Sequence, residues 1–339
     1  MRSQPDYVAN LSRIATWQRG WRDGTDHTAR LYSADRTTGP LVPASLPYES
    51  GLRRKFARDA DAGLVDRVRR GVYLPVRVGP GGRNQDHEAA LMRTVRGLVE
   101  ASSVDICFTH TTAAVLHRCW QYRTPEVVHV TYPIKPKIRQ GDDGVRRHWT
   151  RLTARDRTSV DRIPVTTLER TVVDCARTLA FDSAVVLVTS AFRLGADPTV
   201  VGTIIDEKRG TRGIAAARAV VAVIEPGCAS PGEALAHMAA RRARPEGLET
   251  QIRVVTRRGT YWVDLGWPAL KVGVEFHGAV KYSGGTFGDP SLRQEERTRR
   301  AQALMDEGWR ILDLEWSDVI DQQRLELRAR EALLRRRRW

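Results

Sequence analysis

Between Thr260 and Gly278 the chain alternates apolar and polar positions in the two-residue rhythm of paired strands. Leu270, Val272, Val274 and Phe276 share one parity, and Lys271, Glu275 and His277 share the other, which predicts a half-buried strand. The run from Thr260 to Leu265 predicts its partner, with Gly266-Trp267-Pro268-Ala269 as the tight connection. A hairpin centred between Pro268 and Ala269 or just after sets Asp264 nearly opposite Glu275 on one face. Two carboxylates facing each other across a ladder repel. A positive group is therefore expected between them, and a hard divalent cation with oxygen ligands is its natural identity.

The surrounding pattern supplies further elements. A helix is predicted from about Pro231 to Arg242, with Glu233 in its first turn. After the strand pair come a loop from Lys281 to Asp289, a charged helix from Pro290 to Glu307, and a strand from Trp309 to Trp316. A final helix is expected to be capped by Ser317. Near the other end, a helical run from Leu52 to Ala62 stops at Gly63. A short hairpin follows, from Leu64 to Val68 and from Val72 to Leu74, turning at Arg69-Arg70-Gly71. In the middle, Thr166 and Glu169 have capping-box spacing ahead of a helix that buries Leu168, Val172, Cys175 and Leu179 on one face. His110 opens another predicted helix and has no nucleophile or acid at a diagnostic spacing, so it reads as structural.

Gly- and Pro-rich stretches at Pro75–Asn84 and Glu225–Gly232 suggest boundaries, dividing the 339 residues into segments 1–78, 79–227 and 228–339. Charge then changes the picture. Lys and Arg number 55 against 40 acidic residues, a net +15 in a chain of ordinary hydrophobic content. That balance points to a polyanion such as DNA, with a basic solvated surface as the plain alternative. Cys107, Cys119, Cys175 and Cys228 lack metal-type or disulfide-type spacing and read as buried reduced thiols. No apolar run approaches the roughly 18 residues of a membrane span. The expected setting is soluble and cytoplasmic, with no membrane partner.

Two resemblances sharpen these expectations. The helix and basic hairpin of segment 1–78, closing on Arg70-Gly71-Val72-Tyr73, resemble the N-terminal winged helix of abortive-infection-type antitoxins. Phe108-Thr109-His110-Thr111-Thr112-Ala113-Ala114 resembles the start of the second domain in that group. By this resemblance Arg53, Arg54, Lys55, Arg67, Arg69 and Arg70 are DNA-contacting candidates, alongside Arg58. In the last segment, Ser230-Pro231-Gly232-Glu233, Val263-Asp264, Val274-Glu275-Phe276-His277-Gly278-Ala279-Val280-Lys281-Tyr282 and Gly308-Trp309-Arg310-Ile311-Leu312 resemble another family. It is an uncharacterised one related to the very-short-patch mismatch repair endonucleases.

The fold class these imply is multi-domain α/β: a winged helix-turn-helix, an α+β middle domain, and a restriction-endonuclease-like α/β domain at 228–339. The implied activity is metal-dependent hydrolysis of DNA phosphodiester bonds. Asp264 and Glu275 would hold Mg²⁺ or Mn²⁺, with Glu233 reaching it directly or through water. His277, where most members have Asp and the repair enzymes have His, would act as general acid or base. Lys281 would stabilise phosphate charge or position water. Arg299 and Arg300, in a lattice with Glu295 and Glu296, would remain available to phosphate. The alternative is an antitoxin-type DNA-binding regulator carrying a degenerate nuclease-like domain, with a cognate toxin or a second copy of the chain as further partner. Each acidic or basic candidate also has a plain reading: Glu233 as a helix-start residue, Lys281 as a solvated loop lysine, and Lys271 as an ion-pair partner for either carboxylate.

Overall fold

A computed structural model describes residues 6–22, 58, 61–62, 65–69, 72–75, 83–102, 104–134, 144–278 and 290–334. Among them are eleven α-helices, two mixed sheets and a two-stranded ribbon, so the architecture is mixed α/β. No described helix is long and apolar enough to cross a membrane. The chain divides into two compact units, one of residues 1–25, 180–198 and 215–339, the other of 26–179 and 199–214.

In the second unit, strands β1 (Val65–Arg69) and β2 (Val72–Pro75) pair antiparallel as the predicted basic hairpin, with a bulge between Arg67 and Arg69. Most of the helix expected at Leu52–Ala62 lies outside the described residues. Helix α2 (Arg83–Ala101) precedes a five-stranded sheet. Its strands are β3 (Cys107–Phe108), β4 (Val128–Tyr132), β5 (Val145–Trp149), β6 (Arg157–Val160) and β7 (Ile163–Thr166), in the order β5-β4-β3-β7-β6. Leu91, Val95 and Leu98 of α2 join Phe108, Val130 and Val165 in its core. Helix α3 (His110–Leu116) starts at His110, as the sequence suggests.

Helix α4 (Leu168–Thr178) starts one residue later than the capping-box spacing implies. Its cap is Thr167, whose hydroxyl accepts from the Arg170 N–H, while the Thr166 hydroxyl bonds Thr171 Oγ1 at 2.8 Å. The helix is buried over every position from Arg170 to Ala176 rather than on one face, and Arg170 is among the buried residues. Its guanidinium meets Asp174 at 2.8 Å and Asp156 at 3.4 Å, with all three residues buried. Helix α6 (Pro198–Glu207) lies almost wholly in this unit.

The first unit joins helix α1 (Tyr7–Arg22) to α5 (Phe181–Arg193) and α7 (Ile214–Val221). Leu11 and Ile14 supply apolar contact. Register comes from buried amides: Gln18 donates to the carbonyls of Phe192 and Ala196, each at 2.8 Å, and Asn10 donates to Val221 and Ile224. Losing such a partner would strand a buried donor at a cost of about 1–3 kcal/mol. The Glu225–Gly232 stretch is irregular from Glu225 to Ser230, as its Gly and Pro content suggests, and helical from Pro231; Pro226, Gly227 and Cys228 are buried within this unit. All four cysteines are buried free thiols, as expected.

The rest of the unit runs α8 (Pro231–Ala243), β8 (Glu249–Thr256), β9 (Gly259–Trp267), β10 (Val272–Phe276), α9 (Pro290–Asp306), β11 (Arg310–Leu314), α10 (Trp316–Ile320) and α11 (Gln322–Leu334). The sheet order is β11-β10-β9-β8, antiparallel except that β11 runs parallel to β10. Two sequence expectations change here. Helix α10 is capped by Glu315, in a capping box with Asp318, and Ser317 lies inside it. Strand β10 is buried along its whole length rather than on one face, because it is an interior strand with helices against both faces. On one face α8 presses so closely that a Cβ on Gly232 would sit 2.2 Å from the Phe276 ring. On the other, Leu304 of α9 packs with Val263, Ile252 and Trp309.

Candidate metal centre

The hairpin register is the one the alternation calls for: Val274 pairs Leu265 and Val272 pairs Trp267, which extrapolates to Asp264 opposite Glu275. The ladder ends before that step. Asp264 Oδ2 instead accepts the Phe276 N–H at 2.8 Å, so a side chain takes over from the backbone at the strand end. Glu275 is buried at 6% exposure. Its positive neighbour is protein-borne: Arg300 of α9 donates to Glu275 Oε1 at 2.7 Å and also to the Trp262 carbonyl. Arg300 is thus drawn out of the expected surface lattice, which Arg299 and Glu295 retain at 3.8 Å. Lys271 is no partner to either carboxylate, since its ammonium donates to the Glu307 carbonyl at 2.7 Å.

Strand β11 contributes what the sequence reading lacks. The parallel register sets Asp313 directly beside Glu275, and Asp313 Oδ1 meets His277 Nε2 at 2.7 Å. Arg297, from the same helix as Arg300, donates to that oxygen at 3.0 Å. One ligand atom each from Glu275, His277 and Asp313 come within 4.8 Å of one another. Asp264 and Glu233 stand outside this group of three. Glu233 lies at the start of α8, where its carboxylate accepts from the Ala229 N–H (2.7 Å), the Ser230 hydroxyl (2.8 Å) and Gln251 (3.3 Å).

The electrostatics divide the two carboxyls of the group. Burial pushes Glu275 above the usual carboxylate range, opposed by Arg300 and reinforced by the charge of Asp264. The hydrogen bond from His277 holds Asp313 below that range, with Arg297 acting the same way. With the His277 Nε2 held by Asp313, the donors left for an ion are the carboxylate oxygens of Glu275 and Asp313, which fit a hard divalent ion such as Mg²⁺ or Mn²⁺. Such an ion would take the place Arg300 now fills on Glu275.

Of the other sequence candidates, Lys281, Arg53, Arg54, Lys55 and Arg70 lie outside the described residues. Arg67 and Arg69 lie on β1. Local spacing does not reveal Asp313 and Arg297, because only a parallel pairing between strand residues 38 apart in sequence, with a helix between them, brings them to Glu275. Their one legible signal is that Asp313 falls inside the predicted third strand. Comparisons with protein-family models, curated proteins and solved structures return no match for this chain.

Proposed function

We propose that the chain is a divalent-metal-dependent DNA endonuclease or nickase, with a basic winged-helix-type segment near its N-terminus for targeting. The observation that carries this reading is the convergence of Glu275, His277 and Asp313 beside two arginines on one face of a mixed sheet. The order helix, strands, helix, strand, helix around them agrees with a restriction-endonuclease-like domain. A bound ion would supply Lewis-acid stabilisation of the scissile phosphate and a more acidic water. The chain's own groups do the rest. Glu275 and Asp313 supply the oxygens that hold the ion, and Asp264 adds negative charge at the same strand end. Asp313 fixes the His277 ring through Nε2, leaving Nδ1 as the atom that takes or gives a proton. Arg300, once exchanged off Glu275, is placed to meet phosphate oxygens. The net charge of +15 agrees with a polyanionic substrate.

One observation favours a second reading. Arg300 and Arg297 already neutralise both carboxylates, as expected of a degenerate site in a DNA-binding regulator of antitoxin type. Mn²⁺ binding followed by electron paramagnetic resonance separates the two. On the nuclease reading, Glu275→Gln loses the ion and Arg300→Met binds it more tightly, because a competing cation is gone. Absence of Mn²⁺ binding in both wild type and Arg300→Met would leave the regulator.

A further inference from the structure

In the second unit, three histidines far apart in sequence meet on one face of the five-stranded sheet. His129 lies on β4 and His148 on β5, where His148 is the register partner of Thr131. His129 and Thr131 share a face by strand alternation, so both rings rise on the same side. His110 joins them from the start of α3. The His110 and His148 rings stack with centroids 4.3 Å apart, and His129 lies 5.1 Å from one and 5.2 Å from the other. One ring nitrogen from each comes within 4.8 Å of the others, and all three residues are half-buried.

From this convergence we infer a second metal site, a three-imidazole centre for a borderline divalent ion of the zinc class with a fourth position open to water. Three imidazoles plus an open position is a known ligand pattern for zinc. At Zn–N lengths of 2.0–2.1 Å, tetrahedral ligand nitrogens lie about 3.4 Å apart. His129 Nδ1 and His148 Nε2 are 3.0 Å apart in a hydrogen bond that points each at the other, so both rings must turn towards the ion for their nitrogens to share it. In the metal-free protein one of these nitrogens donates to the other. Coordination requires the donor ring to carry its proton on its other nitrogen, a change of tautomer with no change of charge.

The supporting shell is also present. Thr109 Oγ1 bonds His110 Nδ1 at 2.9 Å, which directs Nε2 of that ring to the ion, and Thr131 Oγ1 bonds Thr109 in turn. The backbone of His129 is fixed by Thr112 Oγ1 at 2.8 Å. Such outer hydrogen bonds orient ligand imidazoles and raise their affinity. His110 holds a left-handed backbone, φ 52°, unusual for a side-chain-bearing residue, and that conformation turns its ring to the other two. Burial and the nearby Arg146, Arg170 and Arg177 keep the rings neutral, which is the ligating form. The same arginines repel a cation, Asp174 partly offsets them at His148, and the affinity must come from the three metal–nitrogen bonds.

Co²⁺ added to the full chain, read by its visible d–d absorption, tests the site. The wild type is expected to bind one Co²⁺ with the intense bands of a four-coordinate, nitrogen-rich ion. His129→Gln/His148→Gln should lose them, and Glu275→Gln/Asp313→Asn should keep them, which separates this site from the acidic one. Thr109→Val keeps all three ligands and is expected to weaken Zn²⁺ binding roughly 10- to 100-fold. Circular dichroism checks the fold of each variant, and Zn²⁺ should raise the melting temperature of Glu275→Gln/Asp313→Asn but not of that variant when it also carries His129→Gln/His148→Gln. No bands from folded wild type, or equal bands in the folded His pair, would overturn the site.

Discussion

Arg170 shows how much of this protein rests on charges taken out of water. Its guanidinium sits between the carboxylates of Asp156 and Asp174, all at 5% exposure or less. Such a triad adds little net stability over an apolar cluster, but breaking it leaves Asp156 buried without that counter-charge and Asp174 with only Arg177, at 3.9 Å. Arg170→Met should therefore lower unfolding free energy by roughly 3–5 kcal/mol in urea titrations. A loss under about 1 kcal/mol would show that water or local rearrangement compensates. His237 of α8 makes the complementary point about pH. Burial lowers its pKa from 6.5 to about 4, with Arg241 and Arg13 acting in the same direction and Glu225 against it. Between those values the unfolded chain binds the proton and the folded one does not, so stability rises with pH across the window. The contribution is fully present above pH 6.5 and is lost as pH falls towards 4. His110, His129 and His148 are shifted in the same direction. His237→Gln should make the stability–pH slope shallower there, removing about 3 kcal/mol of its rise. An unchanged slope would mean that His237 titrates normally.

Elements meet most tightly where glycine removes a side chain. Gly232 lets the start of α8 rest on the Phe276 ring. Gly232→Ala should cost about 1–3 kcal/mol through overpacking, and Phe276→Leu in the same chain should recover part of it. An additive double mutant would place the strain elsewhere. The elements were legible to different degrees. The β9–β10 hairpin and its register could be read because alternation and the Pro268 turn agree, and α8 because Ser230, Pro231 and Glu233 mark its start. Strand β8 is harder to read from the sequence, although Ile252 and Val254 alternate before the Arg257-Arg258-Gly259 turn. Its exposed Glu249, Arg253 and Val255 make it a two-toned edge strand beside Gly-rich punctuation. The burial of β10 could not be read, since a strand's second face is covered by helices whose placement is a tertiary fact. The acidic site was half legible: Asp264 and Glu275 announce themselves by local spacing, whereas Asp313, Arg297 and the role of Arg300 depend on the crossover to β11. The histidine cluster was invisible for the same reason, as its three members come from three elements with no local motif.

Over the whole molecule, two compact units each carry a constellation suited to a divalent ion, one of carboxylates with an imidazole and one of imidazoles alone. The partner proposed for so basic a chain, net +15, is a phosphodiester polymer. Hydrolysis of DNA at the Glu275 centre is the claim on which the account turns, and a nicking assay on supercoiled plasmid tests it most directly. With Mn²⁺ present, wild type should convert supercoiled to open-circular DNA. Glu275→Gln and Asp313→Asn should lose at least about 100-fold in rate, the scale of removing a group that stabilises transition-state charge, while still retarding DNA in gels. Cleavage that survives both substitutions at the wild-type rate, or a wild type that binds DNA and cuts none of it with any divalent metal, would contradict the account.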